Sequence, residues 1–279
     1  MKKLFLILIT ILSLICSACG SASGGTTPLE EKAPVTIAII DTGFSTKAIP
    51  AENIVPGKNY LYDTLATKDT ADQGALSTED TYGHGTAVAS VIINICPEAK
   101  LVPLISNAYD NGKIIQVEND VFAQIIRDAV DVYDCDIINI SAGLILDKDS
   151  VREAIAYAEE HNVLVVASVG NDYQDDQTTY YPAAYETVLA VGSTDKAGNI
   201  STFSQRGEWV DLYTCGEDVE ISTLSGNKRT SEGTSYSAAK VTAYAAQLLQ
   251  ADTDITPYEI KKCLLENAVE TEENRKVLK

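Results

Sequence analysis

Val35-Thr36-Ile37-Ala38-Ile39-Ile40-Asp41-Thr42-Gly43 is an apolar, largely β-branched run that stops at an acid and a glycine. Such a run describes a buried strand. An acid at the carboxyl end of a core strand stands where open α/β sheets hold their sites, although the same acid can simply cap a loop. Further apolar runs at 101–105, 137–140, 163–167 and 188–191 also read as strands. Helical patterns lie between them. Ala87, Val88, Val91, Ile92 and Ile95 share one helical face, and Phe122, Ile125, Ile126, Ala129 and Val130 mark a helix over 121–133. Ser150 and Glu153 predict a capping box opening a helix over 150–161, and Thr256-Pro257-Tyr258-Glu259 predicts a second, opening a helix to about 268. This βαβα rhythm implies an α/β fold: a doubly wound, mostly parallel sheet with helices on both faces. The polar segment 52–80 reads as surface loop with one short strand, and 270–279 as a charged, frayed tail.

The 279 residues suit one sizeable domain, expected over 35–269. Residues 1–19 differ from the rest. Lys2 and Lys3 precede an apolar run over 4–15, which Ser17-Ala18-Cys19-Gly20 closes. That is the pattern of a secretory signal, too short for a comfortable membrane span. Ser17-Ala18-Cys19 also resembles a bacterial lipobox, with Cys19 the lipidated residue and Cys16 where an aliphatic residue is usual. Ordinary cleavage after Ala18 or Ala22 stays open. Residues 20–34 are rich in Gly, Ser and Thr, as a flexible tether would be. The formal net charge is −19, and removing Lys2 and Lys3 leaves 19 basic against 40 acidic residues, or −21. Such a surface does not hold nucleic acid. Cys96, Cys135, Cys215 and Cys263 remain in the exported chain, where they could oxidise; none shows the CxxC spacing of a metal site.

Two further stretches carry chemistry. Gly83-His84-Gly85-Thr86 puts a histidine at the start of a buried helix, between glycines that leave room around its ring. The other histidine, His161, ends a helix and has no evident chemistry. Gly233-Thr234-Ser235-Tyr236-Ser237-Ala238-Ala239 is a glycine turn, a serine and an alanine-rich helix running to about 250. Ser235 would then lie in a first helical turn, where free N–H groups and the helix dipole stabilise a developing oxyanion.

Asp41-Thr42-Gly43, Gly83-His84-Gly85-Thr86, Ser168-Val169-Gly170-Asn171 and Gly233-Thr234-Ser235, in that order, resemble a subtilisin-family serine peptidase, a subtilase. Tyr181-Pro182-Ala183 and the strand after it resemble the same family. The resemblance implies roles. Ser235 would be the nucleophile, His84 the base, Asp41 its orienting partner and Asn171 the oxyanion donor. Ser141, Ala142 and Gly143 would pair with an extended substrate, and with Ser168, Val169 and Gly170 would wall the pocket for the residue before the scissile bond. Its rim and floor would come from 172–181, with Tyr180 filling the floor unless the loop swings it outward, and Asp172, Asp175 and Asp176 charging the rim. That implies small or basic residues at this position. The chemistry needs no cofactor and no metal. Structural calcium is compatible with so acidic a chain, but no calcium loop is recognisable in 106–120. The implied partners are a polypeptide substrate and, through a lipid anchor, the outer face of a membrane; the chain would act as a monomer.

Several positions depart from the family. Tyr236-Ser237-Ala238-Ala239 replaces Met-Ala-x-Pro, Thr214-Cys215-Gly216 replaces Ala-Pro-Gly, and 20–34 leaves no room for a folding pro-domain. Two other functions compete. A catalytically inactive binding or chaperone lipoprotein would be free to lose Asp41, His84, Asn171 and Ser235, and all four are present. An aspartic peptidase needs two Asp-Thr-Gly segments, and this chain has one.

Overall fold

In the computed structural model, residues 34–61, 77–110, 113–143, 147–174, 178–271 and 274–279 are described. The leader, Cys19, Asp175 and Asp176 lie outside them. The run that opens the domain forms β1 (Thr36–Asp41), and its residues 37–41 are all buried. β1 is flanked by β3 (Lys100–Ile105) and β6 (Ile137–Ile140), both parallel to it. Next to β3 lies the short β2 (Lys58–Asn59). Beyond β6 come β7 (Leu164–Ser168), β8 (Leu189–Thr194) and β9 (Leu212–Cys215), all parallel. The chain leaves β1 to one side and later returns to the other, so a topological switch point lies between β1 and β6. Ligands of open α/β sheets bind at the carboxyl ends of the strands there.

Both sheet faces are apolar, as a parallel sheet covered by helices requires. Ile37 and Ile39 face one core; Ala38 and Ile40 face the other. α1 (His84–Ile95), α4 (Thr234–Ala251) and α5 (Pro257–Asn267) cover the first. α2 (Asn119–Asp131) and α3 (Asp149–Glu160) cover the second. Ala238, Ala239, Ala243, Ala245 and Ala246 of α4 have no exposed surface. Their small side chains let α4 lie against both α1 and the sheet.

The fold departs from expectation in three places. The described residues of the tail are not frayed. β12 (Val269–Glu270) pairs with β13 (Lys276–Leu278), and β13 extends the main sheet beside β9. Val277 and Leu278 are buried, and their apolar burial holds an otherwise charged segment. Ser150 and Glu153 form no capping box, because α3 starts earlier: Lys148 is its N-cap and makes no side-chain cap bond. Arg152 instead ties the first turn to Asp147 and Asp149. Residues 106–120 contain a hairpin, β4 (Asn107–Asp110) and β5 (Lys113–Gln116). The Thr256–Glu259 capping box is formed. No disulfide joins any two of Cys96, Cys135, Cys215 and Cys263. No helix of the described residues is long and apolar enough to cross a membrane.

Candidate active site

Asp41 stands at the end of β1 with 1% of its surface exposed. Its carboxylate faces the first residue of α1: His84 Nδ1 lies 2.8 Å from Oδ1 and 2.9 Å from Oδ2. An ionised carboxylate only accepts, so Nδ1 carries the ring proton and Nε2 keeps its lone pair. Nε2 lies 3.2 Å from Ser235 Oγ, in the first turn of α4. Three residues 43 and 151 positions apart are thus joined in one hydrogen-bonded line.

The glycines beside His84 shape the backbone rather than clear space around the ring. Gly83 holds φ +104° as the N-cap of α1, a conformation costly for other residues. A Cβ on Gly85 would lie 2.4 Å from the Gly43 carbonyl oxygen, so α1 touches the Asp41 turn backbone to backbone. Thr42 strengthens that contact, its hydroxyl accepting the Gly85 N–H at 2.9 Å.

Asp80, buried to 4% exposure, also serves the site although it was not read as a site residue. Its carboxylate accepts the N–H groups of Tyr82, Gly83 and Thr86 at 2.8–2.9 Å and the Thr86 hydroxyl at 2.7 Å. It thereby satisfies the free end of α1. Burial of the His84 ring disfavours its charged form, but the Asp41 charge and hydrogen bond, aided by the Asp80 charge, outweigh burial and raise its pKa. A base is active only when neutral, so if His84 is the base that the motif order implies, activity should fall as pH drops through this raised pKa. Asp80→Asn removes a negative charge and lowers the His84 pKa. The acid limb of kcat/KM is therefore expected to move to lower pH. The new amide also faces donors, costing about 1–3 kcal/mol of stability. A pH–rate profile with thermal unfolding checks both, and an unmoved acid limb contradicts the electrostatic role.

Asn171 follows β7. Its Oδ1 accepts both the Thr234 N–H and the Thr234 hydroxyl at 2.9 Å. Those donors require an oxygen there, which leaves Nδ2 as the free end of the amide. Nδ2 lies beside the Gly233 turn, 3.6 Å from where a Cβ on Gly233 would be. Asn139, fully buried in the apolar run of β6, accepts the Thr242 hydroxyl at 2.9 Å and donates to Ser141 Oγ at 3.0 Å. It links α4 to the strand end that carries Ser141. The signals for both unread residues were in the sequence: an acid four positions before a helix-starting histidine, and one amide inside Ile137-Ile138-Asn139-Ile140.

Ser141, Ala142 and Gly143 leave β6 half-buried, beside buried Ser168 and Val169 and half-buried Gly170 at the end of β7. The Tyr180 ring lies between the two segments. A Cβ on Gly143 or on Gly170 would each come within 2.7 Å of it. The Tyr180 hydroxyl donates to exposed Asp172 at 2.7 Å. On the other side of the site, Tyr82 stacks on Tyr109 of the β4–β5 hairpin, centroids 4.9 Å apart. Among the described residues no three His, Cys, Asp or Glu side chains are grouped to hold a metal ion.

Residues 32–278 match the subtilase family, peptidase S8. The major intracellular serine protease of Bacillus subtilis is 32% identical over 228 residues, covering 76% of this chain and 67% of that protein. Subtilisin BL of Lederbergia lenta is 30% identical over 245 residues, covering 84% and 83%. Among solved structures, the nisin leader peptidase NisP from Lactococcus lactis superposes with a TM-score of 0.73 over 88% of this chain and 85% of that one, at 24% identity. That likeness concerns the fold.

Proposed function

Because the chain belongs to the subtilase family of serine peptidases, we propose that it cleaves peptide bonds as an exported endopeptidase through Asp41, His84 and Ser235. The observation that carries this reading is the unbroken line from the Asp41 carboxylate through His84 to Ser235 Oγ. Ser235 Oγ attacks the substrate carbonyl while its proton passes to His84 Nε2. Asp41 stabilises the imidazolium that forms and keeps its orientation. The carbonyl oxygen becomes an oxyanion, held by Asn171 Nδ2 and the Ser235 N–H. His84 then returns the proton to the leaving amine, and the C–N bond breaks. Water, deprotonated by the same imidazole, releases the acyl group from Ser235. Labelling by a fluorophosphonate tests this reading, as set out in the Discussion.

The substrate lies extended along Ser141-Ala142-Gly143, adding a strand to that edge. The residue before the scissile bond meets the Tyr180 ring where a deep pocket would open. Small side chains fit above the ring, and Lys or Arg place their charge near Asp172. Tyr180→Gly is expected to raise kcat/KM for Phe or Leu at this position by about 10- to 100-fold, the worth of burying a large apolar side chain. A peptide series varied at that position checks this. Best cleavage after Phe or Leu by the wild type would contradict the filled pocket.

Lys2, Lys3, the apolar 4–15 run and Cys19 support export and lipid anchoring at the outer face of a membrane. The processed protein should sediment with membranes, and Cys19→Ser should release it or block processing. An unlipidated mature terminus at Gly20 or beyond would instead mean plain secretion.

A further inference from the structure

A cavity of about 470 Å³ opens beside His84, within the size range of ligand sites. Tyr82, His84, Ile221, Leu224, Arg229 and Tyr236 form its walls. None of the residues assigned to the acyl side, 141–143 and 168–172, lines it. His84 is the group that hands a proton to the leaving amine, so the chain on the leaving side of the scissile bond crosses this cavity.

Its outer wall is a hairpin of β10 (Val219–Ser222) and β11 (Lys228–Ser231), in which Ile221 pairs with Arg229. Cross-strand partners share a face, so Arg229 projects over the same cavity that buried Ile221 lines. Arg229 and Tyr236 line the same cavity; burial raises the pKa of the Tyr236 hydroxyl, and the Ser231 contact and the Arg229 charge both oppose that rise. Tyr236 is pinned by Ser231, whose hydroxyl donates to it at 3.1 Å. Lys228, the residue before Arg229, is paired with Glu220 at 3.8 Å. Among the described residues the Arg229 side chain has neither a hydrogen bond nor an ion pair. Asp41 and Asp80, the carboxylates nearest the site, are already engaged by His84 and by backbone N–H groups. A chain of net charge −19 thus presents an unpaired cation in a concave wall next to its reacting groups.

We infer that this cavity is a subsite for the leaving side of the substrate, and that Arg229 reads a carboxylate there. The inference rests on the peptidase reading above. A guanidinium fork matches the two oxygens of a carboxylate. The acidic surface repels an acidic peptide at long range, but salt screens that field beyond about 8–10 Å, while Arg229 acts at contact. The carboxylate can come from an Asp or Glu side chain within the first few residues after the scissile bond, or from the substrate's own C-terminus.

Quenched peptides identical on the acyl side separate these sources. One series carries Glu or Gln at each of the first three leaving-side positions; a second ends in a free acid or an amide. The carboxylate partner of one pair is expected to be cleaved about five-fold faster in kcat/KM, the upper range for a solvent-accessible ion pair. The ratio should shrink with added salt, collapse to about one in Arg229→Gln, stay intermediate in Arg229→Lys and invert in Arg229→Glu. Sensitivity to Glu against Gln assigns a side chain; sensitivity to acid against amide assigns the C-terminus. Equal rates for every pair, in a wild type that a fluorophosphonate labels at Ser235, overturn this inference and leave the peptidase reading standing. So does a preference that survives Arg229→Gln. Absence of both labelling and cleavage overturns the two together.

Discussion

His84→Ala is expected to lower kcat by about 10⁶-fold, and adding Ser235→Ala to the same chain should lower it little further. The size is the one established for the corresponding residues of subtilisin and is carried over from it. The near-absence of additivity follows from the geometry. Ser235 Oγ touches its base through a single 3.2 Å contact to Nε2. Without that base the hydroxyl is a weak nucleophile at neutral pH, so removing it afterwards removes little that still works. Asp41→Asn should cost less, about 10⁴-fold, because the base remains while its tautomer and its charged form lose their support. His84 keeps 26% of its side chain exposed, so His84→Ala should fold. Single-turnover hydrolysis of a quenched peptide, with circular dichroism of each variant, checks the series. Losses that multiply when the two substitutions are combined would contradict a triad acting as one unit.

Asn171→Ala is expected to lower kcat by about 10²–10³-fold with little change in KM, again the size established for this family's oxyanion asparagine. Thr234 supplies the local reason. Its N–H and hydroxyl both donate to Asn171 Oδ1 at 2.9 Å, which fixes the amide and leaves Nδ2 beside the Gly233 turn as its donor end. In the proposed role that donor would meet the oxyanion more closely than the ground-state carbonyl, so its loss should appear in kcat. Steady-state kinetics on one good peptide decide it. An unchanged kcat would reduce Asn171 to a loop residue that anchors Thr234.

The sheet centre was legible in the sequence because strands buried on both faces are uninterrupted apolar runs. Ile137-Ile138-Asn139-Ile140 and the strand ending at Asp41 appear within a residue of where they were expected. α4 was legible through its alanines, since a helix of small residues has to be buried. The line from Asp41 to Ser235 was legible as motif order, not as distance: nothing local says that positions 41, 84 and 235 meet. What escaped reading depends on contacts remote in sequence. The tail joins the sheet because Val277 and Leu278 reach apolar neighbours, while the charges around them suggested solvent. The α3 cap failed because Arg152 bonds Asp147 and Asp149 and moves the helix start upstream of Ser150. Asp80 was harder to see because three of its four hydrogen bonds come from backbone N–H groups, which leaves its place four residues before His84 as the sequence signal of its role.

The central claim is that Ser235 is an activated nucleophile. Incubation of the folded protein with a fluorophosphonate, followed by proteolysis and mass mapping of the adduct, tests it most directly. The expected result is one adduct, on the peptide containing Ser235, absent from Ser235→Ala and slowed in His84→Ala. No labelling of folded wild type, or labelling that persists in Ser235→Ala, would contradict it.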